Sequence, residues 1–290
     1  MQELDFTCTL SELAGTIRAW DDTTASNQVT FGVNIEDVLF PVFVSIDQDR
    51  NARLTVLYNG AVSRERSKSG IVFQRASWKD DLPSTVVSFA DPTLLLSEGM
   101  SIGWGQADGK LFAPQQYAII LDVLREAKGL SGSNRTLHFG SSAGGFQALA
   151  TAAFDKGSRV LCNNPQTDFS QYSVPWAANR ALKINGFANR EEFLASENID
   201  EVAWRIDIPK LYEKLEYVPT HIRILINSAS KNDLTVQAAS FISGITEISS
   251  ESTTNGYEMY FYYHPGLGHN PMPKAVTIHE IASQLDSFEA

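Results

Sequence analysis

A serine between two glycines, near the middle of the sequence, is the residue best placed to do chemistry. Ser142 is the centre of the pentapeptide Gly140-Ser-Ser-Ala-Gly144. The run that begins at Thr136 predicts a strand, and the alanine-rich run up to Ala150 predicts a helix. Small residues two positions before and after the serine permit a sharp strand-to-helix turn. The pattern therefore predicts a nucleophilic hydroxyl at the carboxyl end of a sheet, beside helix amides that favour negative charge.

A serine hydroxyl needs a base to accept its proton, and that base needs an acid partner. Two of the five histidines, His264 and His269, lie in the loop after the last predicted strand. His269 follows Gly-Leu-Gly, a flexible segment that would let its imidazole reach another strand end, so we favour it and keep His264 as the alternative. Asp233, in the loop after the preceding strand, is the favoured acid, and Asp168 is its alternative. The chain order serine, aspartate, histidine places each group at the end of a different strand.

No second kind of catalytic centre competes in the sequence. The spacing of histidines and cysteines does not match a zinc site, and no Gly-x-x-x-x-Gly-Lys-Ser/Thr phosphate loop is present. We therefore expect neither a metal nor a cofactor. Cys8 and Cys162, the two cysteines, lie far apart in the sequence and are expected to be buried thiols and not a disulfide.

Strands and helices alternate over most of the chain. The predicted strands are 53–58, 85–90, 159–162, 221–226 and 257–263, and the predicted helices are 114–128, 237–245 and 274–288. This alternation indicates an α/β protein with a mostly parallel central sheet flanked by helices. In residues 1–50 the pattern is β-rich, with strands expected at 17–20, 29–33 and 38–45, separated by turns at 21–27 and 47–51. An antiparallel start of the sheet is expected there.

The sequence divides into three predicted parts. Residues 1–50 would extend the sheet, residues 51–167 and 221–290 would form the α/β core, and residues 168–220 would form a helical insertion above it. The insertion carries many aromatic residues, Trp176 among them, which would either roof a substrate pocket or fix the insertion to the core. Trp104, in the glycine-rich loop 100–109, is the second candidate substrate-binding residue.

The elbow pentapeptide, Asp233 and Gly268-His269 together resemble the nucleophile elbow, acid and histidine of the α/β-hydrolase fold. The resemblance covers roughly residues 50 to 290, with the helical insertion where members of this superfamily carry a cap. It implies that Ser142 is the nucleophile, His269 the base and Asp233 the acid. Esterases, lipases, peptidases and acyltransferases share this fold, so the resemblance does not select one activity.

The resemblance also implies an oxyanion hole. The amide of Ala143 would supply one donor, and an amide near Asn59, Gly60 and Ala61 would supply the second. The His-Gly sequence usual before the first helix is absent. Asn59 replaces the expected histidine, and its side-chain amide could also donate.

The favoured interpretation is a serine hydrolase, similar to carboxylesterases, that cleaves a carboxylic ester through an acyl-enzyme. The alternative keeps the fold without hydrolysis, either as an acyltransferase that uses a glycan or another alcohol, or as a non-catalytic binding or assembly protein. The expected partner is a small-molecule or glycan ester.

Composition and charge exclude several other classes of protein. The chain has 290 residues and a formal net charge of −11, which disfavours nucleic acid and anionic membranes as partners. No apolar run approaches the length of a membrane span. The opening residues lack the basic and apolar regions of a signal peptide, so a cytoplasmic location is the default expectation.

Overall fold

The computed structural model describes residues 4–20, 27–47, 53–248 and 256–289. Most of the predicted turns at 21–27 and 47–51 lies outside these ranges. Within them, a single mixed sheet forms the centre of the protein. Its strands are β1 (Phe6–Thr9), β2 (Gln28–Ile35), β3 (Val38–Ser45), β4 (Leu54–Tyr58), β5 (Thr85–Phe89), β6 (Thr136–Ser141), β7 (Arg159–Asn163), β8 (His221–Asn227) and β9 (Gly256–Tyr262).

The sheet order is β1-β2-β3-β5-β4-β6-β7-β8-β9. From β5 to β9 in this order, all neighbours are parallel, whereas β3 is antiparallel to both β2 and β5. The expected mostly parallel α/β sheet is therefore confirmed. Because the carboxyl ends of parallel strands share one edge, the loops after β4, β6, β7, β8 and β9 converge there.

Helices cover both faces of the sheet. They are α1 (Leu10–Ala19), α2 (Ala113–Lys128), α3 (Ala143–Phe154), α4 (Pro175–Ile184), α5 (Arg190–Ala195), α6 (Ile199–Ala203), α7 (Ile208–Leu215), α8 (Ala239–Glu247) and α9 (Lys274–Asp286). Successive strand residues point to opposite faces. In β4, for example, Val56 packs in the core beneath α2 and α3, while Leu57 packs in the core beneath α9. Burial on both faces explains why the parallel strands have continuous apolar sequences.

The first fifty residues differ from the expectation. Residues 17–20 were predicted as a strand, which is wrong, because they lie at the end of α1 and just beyond it. The backbone N–H and the hydroxyl of Thr9 both donate to the Glu12 carboxylate, at 2.9 and 2.8 Å, and this contact stabilises the start of the helix. Leu13 and Ile17, four residues apart, are fully buried on one helix face. In addition, β1 is parallel to β2, so only β2 and β3 form the expected antiparallel pair.

Four helices, α4 to α7, lie between β7 and β8, where the sequence predicts an insertion without strands. The only strand-like feature of residues 168–220, all of which the structure describes, is an isolated bridge between Asp168 and Asp207. The division into three parts stays a prediction.

Both cysteines are buried free thiols, as expected, and burial raises the pKa of Cys162. No helix in the ranges that the structure describes is long and apolar enough to cross a membrane.

Candidate active site

Ser142 lies at the turn between β6 and α3, with φ 56° and ψ −126°. A positive φ is unusual for a residue with a side chain and marks a strained turn. The flanking glycines make the turn feasible. A Cβ at Gly140 would lie 2.0 Å from the carbonyl oxygen of Gly144, and a Cβ at Gly144 would lie 2.7 Å from the carbonyl oxygen of Tyr58. Both contacts are too short for any other residue, so the elbow requires glycine at both positions.

The structure brings Ser142, His269 and Asp233 into one hydrogen-bonded chain. Ser142 Oγ lies 2.9 Å from His269 Nε2, and His269 Nδ1 lies 2.9 and 2.8 Å from the two carboxylate oxygens of Asp233. A carboxylate can only accept, so Nδ1 carries the proton and the unprotonated Nε2 can accept a hydrogen bond from the Ser142 hydroxyl. Asp233 is 1% exposed, whereas the His269 side chain is 38% exposed. The Asp233 carboxylate is thus shielded from solvent, and the His269 imidazole is accessible from outside.

The alternative acid and base lie elsewhere. The Asp168 carboxylate accepts hydrogen bonds from the backbone N–H and the hydroxyl of Ser170, at 2.9 and 2.7 Å, and from Gln171 Nε2 at 2.6 Å. Asp168 is therefore the N-terminal cap of a short 3-10 turn and not the partner of His269. His264 is exposed and its ring makes no hydrogen bond to Ser142.

Two buried asparagines at strand ends hold the loop that carries His269. Asn227, the last residue of β8, donates from Nδ2 to the carbonyl oxygens of His264 and Gly268, both at 2.8 Å. Asn164, just after β7, donates to the carbonyl oxygen of His269 at 3.1 Å, and its Oδ1 accepts from the Asn227 N–H at 2.8 Å. Sequence reasoning missed these residues, although an asparagine at the carboxyl end of two neighbouring strands was a usable signal.

The backbone amides of Ala143 and Ala61, near Ser142, have no hydrogen-bond acceptor among the described residues. Ala143 is the first residue of α3, where the helix dipole adds positive potential. Ala61 follows Gly60, which lies against the elbow, since a Cβ placed on Gly60 would be 3.7 Å from Ser142 Cβ. Such free amides beside a nucleophile are suited to bind a developing oxyanion.

The other two predicted oxyanion donors are contradicted by the structure. The Gly60 N–H already donates to Gln74 Oε1 at 3.1 Å. The Asn59 side chain is 1% exposed and turned into the core, because its Oδ1 accepts from the Asp91 N–H at 2.9 Å and its Nδ2 donates to the Gly60 carbonyl oxygen at 3.3 Å. Neither group is available to a substrate.

Gln74 and Arg75 connect the loop after β4, which contains Gly60 and Ala61, to the elbow around Ser142. Besides accepting from the Gly60 N–H, Gln74 donates from Nε2 to the carbonyl oxygen of Ala61 at 2.8 Å. Arg75 Nη2 donates to Ser141 Oγ at 2.6 Å, and burial lowers the pKa of Arg75 to about 10. Both residues lie more than ten positions beyond the loop, so no local sequence pattern indicates their role.

The two predicted substrate-binding tryptophans have different environments. Trp104 has no exposed surface, donates from Nε1 to Gln166 Oε1 at 2.6 Å and stacks on Phe169 with a centroid distance of 4.9 Å. It cannot contact a ligand, so this prediction is wrong. Trp176 on α4 is 56% exposed, with the Arg180 guanidinium 5.5 Å from its ring. Its contact with substrate stays a prediction.

Comparisons with known proteins give structural similarity alone. No family model and no curated protein sequence matches the chain. The capsule O-acetyltransferase of Neisseria meningitidis serogroup A is 12% identical, with a TM-score of 0.56 over 89% of this chain and 96% of that one. Acetyl xylan esterase 1 from Thermoanaerobacterium is 14% identical, with a TM-score of 0.56 over 95% and 93% of the two chains. A dipeptidyl aminopeptidase IV, described as putative, from Bacteroides ovatus has a TM-score of 0.61 and 14% identity over 90% of this chain and 35% of its own.

The chain has the α/β-hydrolase fold. In this fold the oxyanion donors come from the residue after the nucleophile and from the loop after an earlier strand of the sheet. Ala143 and Ala61 occupy those two places, and the chain order of Ser142, Asp233 and His269 is the one that the fold uses. Among the residues that the structure describes, no group of three or more histidine, cysteine, aspartate or glutamate side chains could hold a metal ion.

Proposed function

We propose that this protein is a serine hydrolase that cleaves a carboxylic ester through an acyl-enzyme. The observation that supports this most strongly is the unbroken hydrogen-bonded chain from Ser142 through His269 to Asp233. The backbone amides of Ala61 and Ala143, which have no hydrogen-bond acceptor among the described residues, support it further. Acyl transfer needs hydrogen-bond donors aimed at the carbonyl oxygen as that oxygen gains negative charge.

In the proposed reaction, Ser142 Oγ attacks the ester carbonyl carbon while His269 Nε2 accepts the hydroxyl proton. The carbonyl oxygen becomes an oxyanion that accepts hydrogen bonds from the amides of Ala61 and Ala143. When the C–O bond to the alcohol breaks, His269 returns the proton to the departing oxygen. A water molecule, deprotonated by His269, then attacks the acyl carbon, and Ser142 regains its proton as the acid leaves. Asp233 fixes the ring and stabilises its protonated form.

The second candidate is acyl transfer to an alcohol. It is favoured by the similarity to the meningococcal capsule O-acetyltransferase, which extends over nearly the whole of both chains. Against it stands the exposure of His269, which gives water access to the acyl-enzyme. The two reactions share every step up to the acyl-enzyme and differ only in whether water or an alcohol attacks it.

The test is hydrolysis of 4-nitrophenyl acetate and butyrate by the wild type and by Ser142→Ala, His269→Ala and Asp233→Asn. Each variant should lose at least about 10³-fold in kcat/KM. The chain offers a matched control in Asp168→Asn, which should stay within about tenfold of wild type.

Adding glycerol or a monosaccharide distinguishes hydrolysis from transfer. An acylated alcohol as the main product would replace the hydrolase proposal by acyl transfer. A folded wild type that reacts with neither ester would favour a non-catalytic binding role.

A further inference from the structure

A cleft opens beside the elbow, between residues 61 and 74. Its volume is about 790 Å³, and its wall includes Ala61, Ser63, Glu65, Arg66, Lys68 and Gln74. It begins one residue from the contact between Gly60 and the elbow, where a Cβ on Gly60 would be 3.7 Å from Ser142 Cβ. Ala61 thus belongs both to the wall of the cleft and to the candidate oxyanion hole. A substrate whose carbonyl reaches Ser142 can therefore extend directly into this cleft.

The wall of the cleft is held in place without a ligand. The Arg64 guanidinium donates to the carbonyl oxygens of Glu98 at 2.8 Å, Lys68 at 3.0 Å and Leu94 at 3.3 Å. These contacts fix the loop that carries Arg66 and Lys68 to the neighbouring segment. Binding in a preformed cleft loses little conformational entropy, which favours its use as a binding site.

The charge of the wall is opposite to that of the protein. Arg66 and Lys68 are exposed, and neither has a carboxylate partner in the described part of the chain, whereas Glu65 is the one acidic residue of the wall. The whole chain carries a net charge of −11. Two cations without a carboxylate partner in the cleft that Ala61 also lines therefore form a local positive region that attracts and orients an anion.

A third cation, Arg75, directly follows the cleft residue Gln74 and contacts the elbow at Ser141. Within the described ranges the Arg75 guanidinium makes no ion pair, and its Nη1 is shielded from solvent without a hydrogen-bond partner. Its guanidinium lies 5.4 Å from the Trp78 ring centroid and 5.3 Å from that of Phe139. A shielded cation without a counterion is energetically costly, and it adds to the positive potential on this side of Ser142.

We propose that the cleft between residues 61 and 74 binds an anionic group of the ester substrate, a carboxylate, sulfate or phosphate held by Arg66 and Lys68. This inference rests on the proposed function and specifies its substrate class. The anion belongs either to the alcohol part or to the acyl part of the ester, and substrates that carry the anion on one part or the other distinguish these two possibilities.

The experiment compares matched anionic and neutral esters. On the alcohol side the pair is 4-acetoxybenzoate and its methyl ester, and on the acyl side it is 4-nitrophenyl hydrogen succinate and 4-nitrophenyl methyl succinate. The quantity measured is the ratio of kcat/KM for the anionic over the neutral ester. In Arg66→Gln/Lys68→Gln this ratio should fall about three- to tenfold in one of the two pairs, since exposed ion pairs are individually weak.

Two further variants serve as controls. Lys156→Gln/Lys214→Gln removes the same amount of charge outside the cleft, and its ratio should match wild type. Glu65→Gln removes the acidic residue of the wall and should raise the ratio. Raising the salt concentration from 50 to 500 mM should reduce the wild-type preference, because screening weakens exposed charge pairs.

The outcomes separate the two proposals. Suppose that the neutral esters are hydrolysed and that this hydrolysis requires Ser142. If the ratio of kcat/KM for the anionic over the neutral ester is then the same in wild type and in Arg66→Gln/Lys68→Gln for both pairs, the anion site is refuted and the hydrolase proposal stands. If the folded wild type hydrolyses neither member of either pair, both proposals fail. An equal fall of the ratio in Lys156→Gln/Lys214→Gln would also refute the site, because it would show an effect of net charge alone.

Discussion

Replacing Gln74 tests whether the loop after β4 is aligned by one side chain. Gln74→Met keeps the length of the side chain but removes the hydrogen bonds to the Gly60 N–H and to the Ala61 carbonyl oxygen, at 3.1 and 2.8 Å. Each bond contributes about 1 kcal/mol, and a shielded N–H without a partner costs about 1–3 kcal/mol. The free energy of unfolding should therefore fall by about 2–4 kcal/mol, and the Ala61 amide should lose its fixed direction.

The effect on catalysis follows from the transition-state stabilisation that one oxyanion donor provides, about 3 kcal/mol or roughly 10²-fold in rate. Partial misalignment of Ala61 should lower kcat for 4-nitrophenyl acetate about 10- to 100-fold. KM should change less than about threefold, because the donor acts on charge that develops only in the transition state. Gln74→Glu keeps the acceptor for the Gly60 N–H and should give an intermediate kcat.

The assay combines steady-state kinetics with urea unfolding of each variant. Gln115→Met, at an exposed position on α2, is the control for the substitution itself and should leave both quantities unchanged. A folded Gln74→Met enzyme with wild-type kcat would contradict this prediction, since it would show that the Ala61 amide needs no support from Gln74 or plays no part in catalysis.

Three other predictions follow from the same structure. Asn227→Ala should lower kcat at least about tenfold with a smaller change in KM, measured with the same ester, because the loop that carries His269 loses the two hydrogen bonds from Asn227 Nδ2 to the His264 and Gly268 carbonyl oxygens. Burial and the neighbouring Asp168 raise the pKa of Asp207 to about 7. In the unfolded chain the same carboxyl ionises at about pH 4, so the free energy of unfolding falls as pH rises from about 4 to about 7. Asp207→Asn should then be as stable as wild type at pH 4 but more stable at pH 8, by up to about 4 kcal/mol in urea unfolding, and equal stability at pH 8 would contradict this. Gly144→Ala should lower the thermal midpoint and abolish ester hydrolysis, because its Cβ would lie 2.7 Å from a backbone oxygen.

The elbow was predictable from sequence because its constraint is local. A Cβ at Gly140 would collide with the Gly144 carbonyl oxygen inside the turn, and a Cβ at Gly144 would collide with the Tyr58 carbonyl oxygen at the end of β4, so one short pentapeptide reports both constraints. His269 and Asp233 were predictable for a related reason, since parallel strands bring their following loops to one edge. A residue placed just after a strand in the sequence is thereby placed at the site in space.

The remaining features depend on contacts between distant segments, which a single sequence does not show. Gln74 reaches back 14 positions to Gly60, and the Asn59 carboxamide turns inward because Asp91, after another strand, offers its N–H. Trp104 belongs to a glycine-rich loop, which suggested exposure, but the helical segment after β7 covers its ring. In each case the partner lies far along the chain, and packing decides which way the side chain points.

The incorrect prediction of a strand at 17–20 has a different cause. Ile17 and Trp20 favour strands by composition, but Leu13 and Ile17 share a helix face and Thr9 with Glu12 caps the helix. The spacing of apolar residues and the capping contact together outweigh the weak intrinsic preference of single residues.

Reaction with a fluorophosphonate, followed by intact mass and peptide mapping, shows whether Ser142 is an activated nucleophile. Wild type should gain a single adduct on the peptide that contains Ser142, Ser142→Ala should gain none, and His269→Ala should react far more slowly. The absence of an adduct on folded wild type, or an adduct that persists in Ser142→Ala, would contradict the assignment of Ser142 as an activated nucleophile.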